Sequence, residues 1–323
     1  MKRIAVLTSG GDAPGMNPAL RAVVRTAVAH GLEIFGIQRG YQGLIDGELS
    51  PMDARSVSGI IHHGGTILRT ARCPDFKHAE GRARAADRLR RLEIEGLVVI
   101  GGDGSYRGAY ELWRDHGTAC VGIPGTIDND IGGTEYTIGF DTALNTAVEA
   151  IDRLRDTAAS HDRIFFVEVM GRHSGFIAMY SGLAGGAEGI LVPETKTEIS
   201  VLVAALREAS ARGKKSMIVI VAEGDDAGNA FDIARQVADS SEFKDVRVSV
   251  LGHLQRGGTP TAFDRVLAAR MGVAAVEALL TGASNTMMVL ENNAIARKPI
   301  TEAWETRNLF DPDLFRMNSL LSV

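Results

Sequence analysis

The sequence predicts an α/β protein of two domains, with parallel sheets covered by helices on both faces. The chain has 323 residues, about twice the ~150 residues of an average domain. Short β-branched runs alternate with amphipathic stretches nearly throughout, and this alternation is typical of parallel sheets. Hydrophobic residues make up 45% and charged residues 23% of the chain, which indicates a packed globular protein rather than a disordered one.

The individual strands and helices follow from hydrophobic spacing. Short apolar runs predict buried strands at Ile4–Thr8, Leu97–Ile100, Ala119–Ile123, Ile164–Val169, Met217–Ala222 and Val246–Leu251. Longer stretches repeat apolar residues at helical intervals at Asn17–His30, Glu80–Leu92, Thr142–Asp156, Val201–Arg212 and Ala262–Leu280. Nearly every strand ends in a loop bearing glycine or charge. Because open α/β sheets bind ligands at the carboxyl ends of their strands, we expect the functional site there.

Composition excludes several classes of protein. The 35 Lys and Arg against 40 Asp and Glu give a net charge of -5, which argues against nucleic-acid binding. The arginines between residues 82 and 91 are interleaved with acidic residues and predict a solvated helix face. Cys73 and Cys120 are too few for a disulfide framework and indicate a reducing compartment. No apolar run approaches the ~20 residues of a membrane span, so we expect a cytoplasmic protein.

Two glycine-rich loops follow predicted strands and precede predicted helices. In Thr8–Asn17 (TSGGDAPGMN), backbone amides and the positive end of a helix dipole converge and favour a phosphate. A tight structural turn is the alternative. In Ile100–Tyr106 (IGGDGSY), glycines let the backbone approach phosphates and Asp103 supplies one carboxylate, which suits Mg²⁺.

Three further loops carry acidic or cationic side chains. In PGTIDND, one of Asp128 and Asp130 can accept a proton from an attacking hydroxyl, while the other stays near a metal. An N-cap cluster is the alternative. In Met170–Gly175, Arg172 can offset charge on a transferring phosphoryl group or form a surface ion pair. In Gly252–Gly258, a His and an Arg three residues apart can meet one phosphate monoester or form a capped turn.

Six motifs occur in the order LTSGGDAPGMN, VVIGGDGSY, PGTIDND, TIGFDTA, EVMGR and LGHLQRGG. Over essentially the whole chain, this pattern resembles the bacterial ATP-dependent 6-phosphofructokinase family. The resemblance implies two Rossmann-like three-layer α/β/α domains with mainly parallel sheets. Residues 1–138 plus about 256–305 would bind ATP, and residues 139–255 plus about 306–323 would bind fructose 6-phosphate. The implied reaction phosphorylates the 1-hydroxyl of fructose 6-phosphate in glycolysis, with Mg²⁺, in a homotetramer whose active sites are shared between subunits.

The resemblance also implies roles for particular residues. Asp128 would be the base, Thr126 would lie beside the transferring phosphate, and Arg172 would stabilise the transition state. Asp130 would support the Mg²⁺ held by Asp103. ATP would be surrounded by Gly11, Arg72, Cys73, Gly102, Asp103, Gly104 and Ser105. The sugar phosphate would meet Thr126, Asp128, Met170, Gly171, Arg172, Glu223, His253 and Arg256, with Arg163 and Arg247 reaching its 6-phosphate from a neighbouring subunit.

Donor choice and regulation follow from the same resemblance. Pyrophosphate-using relatives typically carry Asp at the position of Gly104 and Lys at that of Gly125, so glycine at both positions favours ATP. A site for ADP or phosphoenolpyruvate is implied at Arg21, Arg25, Arg55, Ser58, Gly59, Arg155, Gly186, Glu188, Arg212, Lys214 and Lys215. Ala54 and Arg212 depart from the common pattern there. The alternatives are a kinase for pyrophosphate or another sugar phosphate, and a non-catalytic metabolite sensor, against which Asp128, Asp103 and Arg172 argue.

Overall fold

The computed structural model describes residues 1–160, 163–309 and 311–322. The chain divides into two compact units. The first comprises Met1–Thr142 and Arg256–Asn308, and the second Ala143–Gln255 and Leu309–Val323. Each unit contains a mainly parallel sheet covered by helices, so the predicted α/β fold class is confirmed.

The strands and helices are bounded as follows. The strands are β1 (Arg3–Ser9), β2 (Glu33–Ile37), β3 (Leu49–Met52), β4 (Gly96–Gly101), β5 (Ala119–Pro124), β6 (Ile164–Val169), β7 (Gly189–Leu191), β8 (Met217–Ala222), β9 (Val246–Val250), β10 (Thr286–Glu291) and β11 (Ala294–Pro299). The α-helices are α1 (Met16–Ala29), α2 (Gly40–Asp46), α3 (Ala79–Arg91), α4 (Asp103–His116), α5 (Phe140–Ala159), α6 (Phe176–Ala184), α7 (Ile199–Ala211), α8 (Ala230–Ser240), α9 (Ala262–Leu280), α10 (Glu302–Glu305) and α11 (Pro312–Leu321). Two 3₁₀ helices span Pro74–Lys77 and Gly252–Arg256.

The sheet of the first unit has a parallel centre and antiparallel edges. Its order is β11-β10-β5-β4-β1-β2-β3, and only the edge pairs β2–β3 and β10–β11 run antiparallel among the described strands of this sheet. β4 is buried along its whole length, because helices cover both faces of the sheet. The parallel centre places the carboxyl ends of β1, β4 and β5 next to one another, and with them the loops that follow.

Helices on the two faces of this sheet form separate cores. On one face, α2, α3 and α4 contribute Leu44, Leu89 and Leu112 to a cluster with Leu97 of β4. On the other face, α1 packs along α9. A Cβ on Gly272 of α9 would lie 2.5 Å from Cβ of Ala22 on α1, so glycine is what allows these two helices to approach so closely.

The sheet of the second unit is smaller and parallel throughout, in the order β7-β8-β6-β9. On one face, Leu206 of α7 and Val237 of α8 pack with Phe166 and Val219. Helix α6 contacts β7 and β8, and α11 contacts α6. The side chain of Asn229 caps α8 by accepting hydrogen bonds from two first-turn amides, as expected for an N-cap asparagine.

Two expectations from the sequence are wrong in detail. Val246–Leu251 is predicted as a buried strand, but β9 lies at a sheet edge and Val250 is 47% exposed. Arg82 is predicted on a solvated helix face, but it is only 7% exposed. Its Nε donates to Oδ2 of Asp115 at 2.7 Å, and its guanidinium lies 3.4 Å from Glu111. Apolar β-branched residues also occur on edge strands, and periodicity alone does not reveal a partner 33 residues away.

Across the described ranges, no helix combines the length and the apolar character that crossing a membrane requires.

Candidate active site

The first glycine-rich loop joins β1 to α1. Gly10 and Gly15 have φ angles of +87° and +112°, in the left-handed region that glycine adopts readily. Gly15 is the N-cap of α1, and within the described chain the first turn has neither a side-chain cap nor an acidic residue. The positive end of the helix dipole therefore meets no carboxylate cap, which favours an anion there. The amides of Met16 and Ala19 already donate to the carbonyl oxygens of Ala13 and Gly15, and Pro18 has no N–H, so the dipole rather than an array of first-turn amides would attract the phosphate.

Gly11 lies against the side chain of Arg256. A Cβ on Gly11 would come within 2.6 Å of Nη1 of Arg256, and this nitrogen donates to the carbonyl oxygen of Asp12 at 3.0 Å. Sequence reasoning assigned Gly11 to ATP and Arg256 to the sugar phosphate, and the structure places the two residues in contact. A guanidinium has five N–H donors, so further donors of Arg256 remain for an anionic ligand.

The second glycine-rich loop joins β4 to α4 and lies directly beside the first. Ser9 pairs with Gly101 in the β1–β4 register, and a Cβ on Gly101 would lie 2.5 Å from the carbonyl oxygen of Ser9. Gly102 is the N-cap of α4. A Cβ on Gly104 would meet no described atom within 4 Å. Packing therefore does not require glycine at position 104, and the backbone there is open to a ligand.

Asp103, the predicted metal ligand, begins the first turn of α4. Its side chain is 39% exposed, and its two oxygens accept from Nε of Arg107 at 3.0 and 3.1 Å. The guanidinium of Arg107 also lies 4.7 Å from the centre of the Trp304 ring. No group of three or more His, Cys, Asp or Glu in the described chain could hold a metal. One accessible carboxylate beside a phosphate-type loop nevertheless fits Mg²⁺, which commonly takes its other ligands from substrate phosphates and water.

The loop after β5 holds a buried hydroxyl and a buried carboxylate. Thr126 is 8% exposed and Asp128 only 2%. The amide of Asp128 donates to Oγ1 of Thr126 at 3.2 Å, so one short turn fixes the Thr126 side chain and the backbone that carries Asp128. A Cβ on Gly102 would lie 3.8 Å from Cβ of Thr126. The carboxylate therefore belongs to a turn that lies beside the second glycine-rich loop, while Asp130 is exposed.

Residues Thr137–Gly139, here called the return segment, hold this loop in place. The amide of Ile138 donates to the carbonyl oxygen of Pro124 at 2.8 Å, and the amide of Thr126 donates to that of Ile138 at 3.1 Å. Oγ1 of Thr137 donates to the carbonyl oxygen of Thr126 at 2.7 Å. Asn129, at a φ of +51°, accepts the Thr137 amide on its Oδ1 at 2.8 Å. The position of Thr126 therefore depends on the return segment.

Among the remaining residues expected at ATP, Arg72 is exposed and Cys73 is partly buried. Cys73 packs against the core on the α2–α4 face, and burial raises the pKa of its thiol. Ser105 is buried, and its Oγ would lie 2.6 Å from a Cβ on Gly101. The same oxygen would lie 3.4 Å from a Cβ on Gly10, so Ser105 also packs between the two glycine-rich loops.

In the second unit, the turn after β6 is strained and anchored. Gly171 has a φ of +145° and Arg172 a φ of +53°, the latter uncommon for a residue with a Cβ. Oε1 of Glu223 accepts from the amide of Arg172 at 2.7 Å and from that of Gly171 at 3.3 Å. The structure thus brings together three residues expected at the sugar phosphate, and it shows Glu223 anchoring the turn that presents Arg172.

Gln255 belongs to this group but was missed by sequence reasoning. It is completely buried, and its Oε1 accepts from the amide of Met170 at 2.8 Å. Its Nε2 is buried without a hydrogen-bond partner among the described residues. Gln255 lies on the same 3₁₀ helix as His253, so it ties that helix to the end of β6. The sequence signal that could have identified Gln255 is its position within GHLQRGG, between the candidate ligands His253 and Arg256.

Arg163 and Arg247 lie at the opposite end of the strands from this turn. Arg163 directly precedes β6, and Arg247 pairs with Phe165 near the start of β9. The two arginines share Asp245, with N–O distances of 3.2 Å for Arg163 and 2.6 Å for Arg247. The six residues of β6 span about 20 Å. Within one chain, the structure therefore does not bring these arginines to the Met170–Arg172 turn.

Several predicted effector residues cluster in the second unit. Nη2 of Arg155 donates to the carbonyl oxygens of Gly185 at 2.5 Å and Gly186 at 2.8 Å. Nζ of Lys214 lies 3.3 Å from Oε1 of the buried Glu188, whose other oxygen accepts the Ile218 amide at 2.7 Å. Arg212 pairs with Glu208 at 3.9 Å, and Lys215 follows Lys214. Arg155 and Lys214 thus converge on the segment from Gly185 to Glu188.

The remaining effector residues lie in the first unit. Arg21 and Arg25 are one turn apart on α1, and Arg25 is exposed. Arg55, Ser58 and Gly59 are exposed in the loop after β3, and Gly59 has a φ of +72°. The carboxylate of Asp53 shapes this loop, because Oδ1 accepts the amides of Arg55 at 2.9 Å and Ser56 at 2.8 Å.

Fold and site together define a class of two-unit α/β proteins with glycine-rich loops and a buried carboxylate at the carboxyl ends of parallel strands. The family model described as phosphofructokinase matches residues 3–279. ATP-dependent 6-phosphofructokinases of Bacillus licheniformis and Bacillus subtilis are 54% and 53% identical over 323 residues, and all of both chains is covered. The chain belongs to the phosphofructokinase family.

Solved structures agree with this assignment. The phosphofructokinase of Saccharomyces cerevisiae matches with a TM-score of 0.88 and 35% identity, covering 100% of this chain and 48% of that one. This chain therefore spans about half the length of the yeast chain. A pyrophosphate-dependent phosphofructokinase from Marinobacter aquaeolei matches with a TM-score of 0.85 and 23% identity, which supports the fold alone.

Proposed function

We propose that this protein is an ATP-dependent 6-phosphofructokinase, which transfers the γ-phosphoryl group of ATP to the 1-hydroxyl of fructose 6-phosphate. The observation that carries the proposal is the Thr126–Asp128 turn, which lies beside two adjacent glycine-rich loops. In the proposal the enzyme acts in glycolysis in the cytoplasm, with Mg²⁺ held by Asp103 and supported by Asp130. Bound Mg²⁺ would neutralise charge on the transferring phosphates.

Asp128 is the base of the proposed reaction. A hydroxyl that attacks phosphorus must lose its proton, and a positioned carboxylate within hydrogen-bond reach takes it. A hydrogen bond ties the backbone amide of Asp128 to the Thr126 hydroxyl, and the Asp128 side chain is nearly completely buried, so the carboxylate extends from a fixed stretch of chain. The hydroxyl of Thr126 is held beside the transferring phosphoryl group.

The ATP donor is supported by the surroundings of two glycines. A Cβ at position 104 would meet no described atom within 4 Å, so an aspartate there would be compatible with the fold. At Gly125 the nearest atoms are Cγ2 of Ile100 and Cε of Met16, each 3.2 Å from an added Cβ. An aspartate at 104 would repel the α-phosphate of ATP, whereas glycine leaves room for it.

In the second unit, the proposed ligands of the sugar phosphate are Met170, Gly171, Arg172 and Glu223, together with His253. Arg256 of the first unit joins them in this proposal. The guanidinium of Arg172 is presented by a turn whose backbone amides Glu223 holds, and it would offset charge on the transferring phosphoryl group. His253 lies on a 3₁₀ helix tied to the end of β6 through Gln255, so the second-unit residues proposed for the sugar phosphate share one connected stretch of the fold.

A homotetramer with shared active sites forms part of the proposal. Arg163 and Arg247 form one cationic pair around Asp245, yet they lie about 20 Å from the Met170–Arg172 turn by the length of β6. We assign them to the 6-phosphate bound by a neighbouring subunit. Regulation by ADP and phosphoenolpyruvate is assigned to the cationic residues around Glu188, with those of α1 and the loop after β3.

The decisive experiment is a coupled assay with fructose 6-phosphate and Mg²⁺, comparing ATP with pyrophosphate. We expect turnover with ATP alone. Turnover with pyrophosphate alone would overturn the assignment of ATP as the phosphoryl donor. If a folded sample binds nucleotide but shows no turnover with either donor, the protein is a metabolite sensor instead. Asp128→Asn should lower kcat by at least ~100-fold, and Asp130→Asn in the same loop serves as the control, with a smaller loss.

Shared sites are tested by mixing two inactive variants. Asp128→Asn and Arg163→Ala/Arg247→Ala are each expected to have little activity at low sugar phosphate. After dissociation and reassociation together, a hybrid would contain some sites with an intact base and intact arginines, so activity should return. Absence of recovery in hybrids confirmed by native mass spectrometry would show that the arginines act within their own chain.

A further inference from the structure

A buried carboxylate outside the residues assigned above lies behind the loop that carries Asp128. Asp264, near the start of α9, is completely buried. Its Oδ1 accepts from the amide of Gly139 at 2.8 Å. Its Oδ2 accepts from the amide of Thr142 at 2.9 Å and from the Thr142 hydroxyl at 2.5 Å. Three donors from one short stretch of chain therefore converge on the two oxygens of Asp264.

These donors belong to the segment that holds the catalytic turn. Gly139 ends the return segment, whose Ile138 exchanges backbone hydrogen bonds with Pro124 and Thr126. Gly139 has a φ of +103°, and a Cβ there would lie 2.7 Å from Cβ of Ala13 in the first glycine-rich loop. A shift of Gly139 would therefore reach both Thr126 and that loop.

Asp264 is itself held in place from α9. Its amide donates to Oγ1 of Thr261 at 3.3 Å, and this hydroxyl donates to Oδ2 of Asp141 at 2.6 Å. The amide of Thr261 donates to Oγ1 of Thr142 at 3.0 Å. At the starts of α5 and α9, Thr142 donates to Asp264, and Thr261 donates to Thr142 and Asp141. The Asp264 carboxylate therefore has little room to move.

A carboxylate is the side chain that these donors require. An asparagine has the same shape, but its amide nitrogen would face either the Gly139 amide or the two donors of Thr142. One buried N–H would then lose its acceptor, which is costly. Burial raises the pKa of Asp264 to about 6, although the hydrogen bonds from Thr142 and Gly139 lower it. The fold thus retains an acid here despite the cost of burying its charge.

We propose that Asp264 is a positioning residue for the reaction, because its ionised carboxylate fixes the return segment and, through it, the Thr126–Asp128 turn. The inference rests on the proposed catalytic role of that turn. A proton on Asp264 converts one accepting oxygen into a donor, which removes part of the support for Gly139 or Thr142. We therefore expect kcat to fall as the pH drops through about 6, while the KM for fructose 6-phosphate changes little.

Other ionisable groups on the elements that meet here bear on this pH dependence. Asp141 of α5 raises the pKa of Asp264 by charge repulsion. Tyr136 precedes the return segment and its own pKa is raised by burial. Arg265 follows Asp264 on α9, and its Nε donates to the carbonyl oxygen of Pro260 at 2.8 Å. Asp12 and Arg256 lie on the neighbouring loops. Among these groups, Asp264 is the one that accepts the hydrogen bonds from the Gly139 amide and from the amide and hydroxyl of Thr142.

The first test is Asp264→Asn. We expect kcat to fall by roughly 10- to 100-fold, the usual effect of displacing a catalytic group by about 1 Å. The KM for fructose 6-phosphate should change less than about threefold, and the step in kcat near pH 6 should disappear. Thr281→Val, at the far end of α9, is the control. A wild-type kcat in Asp264→Asn, or a lowered kcat that keeps its step near pH 6, would overturn the proposal.

The second test is Thr142→Val, which keeps the carboxylate and removes one hydrogen bond to its ionised form. Loss of that bond raises the pKa of an acid, so the step in kcat should move to higher pH. An unchanged step would count against Asp264 even when Asp264→Asn fails to fold.

Hydrogen exchange separates this proposal from the proposed function. Amides 126 and 137–142 should exchange faster in Asp264→Asn than in the wild type, while those of β8 should not. Asp128→Asn should leave exchange at amides 137–142 unchanged. If Asp128→Asn retains full activity, the proposed base is wrong, and the exchange data still decide whether Asp264 holds the loop. Unchanged exchange in Asp264→Asn would overturn the positioning role itself.

Discussion

Nη1 of Arg256 donates a hydrogen bond to the carbonyl oxygen of Asp12 at 3.0 Å, across 244 residues of sequence. The contact covers Gly11, because a Cβ there would lie 2.6 Å from Nη1. Two residues assigned to different substrates are thus coupled within the first unit. A ligand phosphate that engages the remaining N–H donors of Arg256 would therefore lie close to the first glycine-rich loop.

Gly11→Ala should break this contact without unfolding the protein. The added Cβ meets the far end of a flexible side chain, so we expect the melting temperature to change little and the KM values for ATP and fructose 6-phosphate to rise. Gly104→Ala is the matched control. It meets no described atom within 4 Å and lies in the first turn of α4, so its thermal stability should equal or exceed that of the wild type, while its KM for ATP rises. Thermal melts and steady-state kinetics measure both effects.

Glu223→Ala should weaken the turn that presents Arg172. The carboxylate holds two backbone amides of a turn with left-handed φ angles at Gly171 and Arg172. Loss of these hydrogen bonds should cost about 1–3 kcal/mol of unfolding free energy and raise the KM for fructose 6-phosphate. Glu223→Gln keeps an accepting oxygen and should recover most of the stability. Equal destabilisation by both variants in urea melts would contradict the anchoring role.

Asp264 should also make stability depend on pH in a defined direction. Its pKa is raised from 3.8 to about 6, so the neutral form is favoured in the folded state. Below pH 3.8 the Asp264 carboxyl is neutral in both the folded and the unfolded protein, and the stability gained from its raised pKa is fully present. As the pH rises to about 6, that contribution is lost, up to about 3 kcal/mol at 1.36 kcal/mol for each pH unit. Above that pH both states are ionised.

The measurement is the difference in unfolding free energy between the wild type and Asp264→Asn at several pH values. As the pH rises from 4 to 6, the unfolding free energy of the wild type should fall relative to that of Asp264→Asn. The difference should stay constant above about pH 6.5. A constant difference over the whole range would show that the carboxyl has its ordinary pKa. Activity and stability would thus favour opposite protonation states of one side chain.

Lys214→Ala tests the proposed effector site. Nζ of Lys214 lies 3.3 Å from Glu188 and donates to the carbonyl oxygen of Ser322 at 2.8 Å, so its loss leaves a buried carboxylate without that cation. We expect the response of the enzyme to ADP and phosphoenolpyruvate to be lost while kcat with saturating substrates is kept. Lys244→Ala, an exposed lysine of the same unit, should retain the response. An intact response in Lys214→Ala would place the effectors elsewhere.

Strand periodicity and loop composition were sufficient to predict much of the fold. β1, β4, β5, β6 and β8 are all found close to their predicted bounds, because buried parallel strands are short continuous apolar runs. β2, β3, β7, β10 and β11 were missed. Their sequences are short or mixed, as in the strand Leu49–Met52 with its proline, and their strand state depends on pairing that no local pattern reveals.

The candidate site could be found from sequence where it consists of local motifs, and could not where its geometry depends on distant contacts. The loops containing Gly11, Gly102 and Thr126 were identified because glycines and carboxylates at strand ends are local features. The support from Asp264 to Gly139 spans 125 residues, and that from Gln255 to Met170 spans 85. A buried aspartate near the start of a helix has the same local sequence pattern as an exposed N-terminal one, so only the structure distinguishes them.

The division of the first unit into Met1–Thr142 and Arg256–Asn308 has a consequence for its synthesis. When residue 142 leaves the ribosome, β5 has an unpaired edge, because its partner β10 has not yet been made. The surface of α1 that α9 covers is exposed for the same reason. Such edges and apolar faces are prone to aggregation. The nascent chain therefore carries an incomplete first unit throughout translation of the second unit, and shielding by a chaperone would be most useful during that interval.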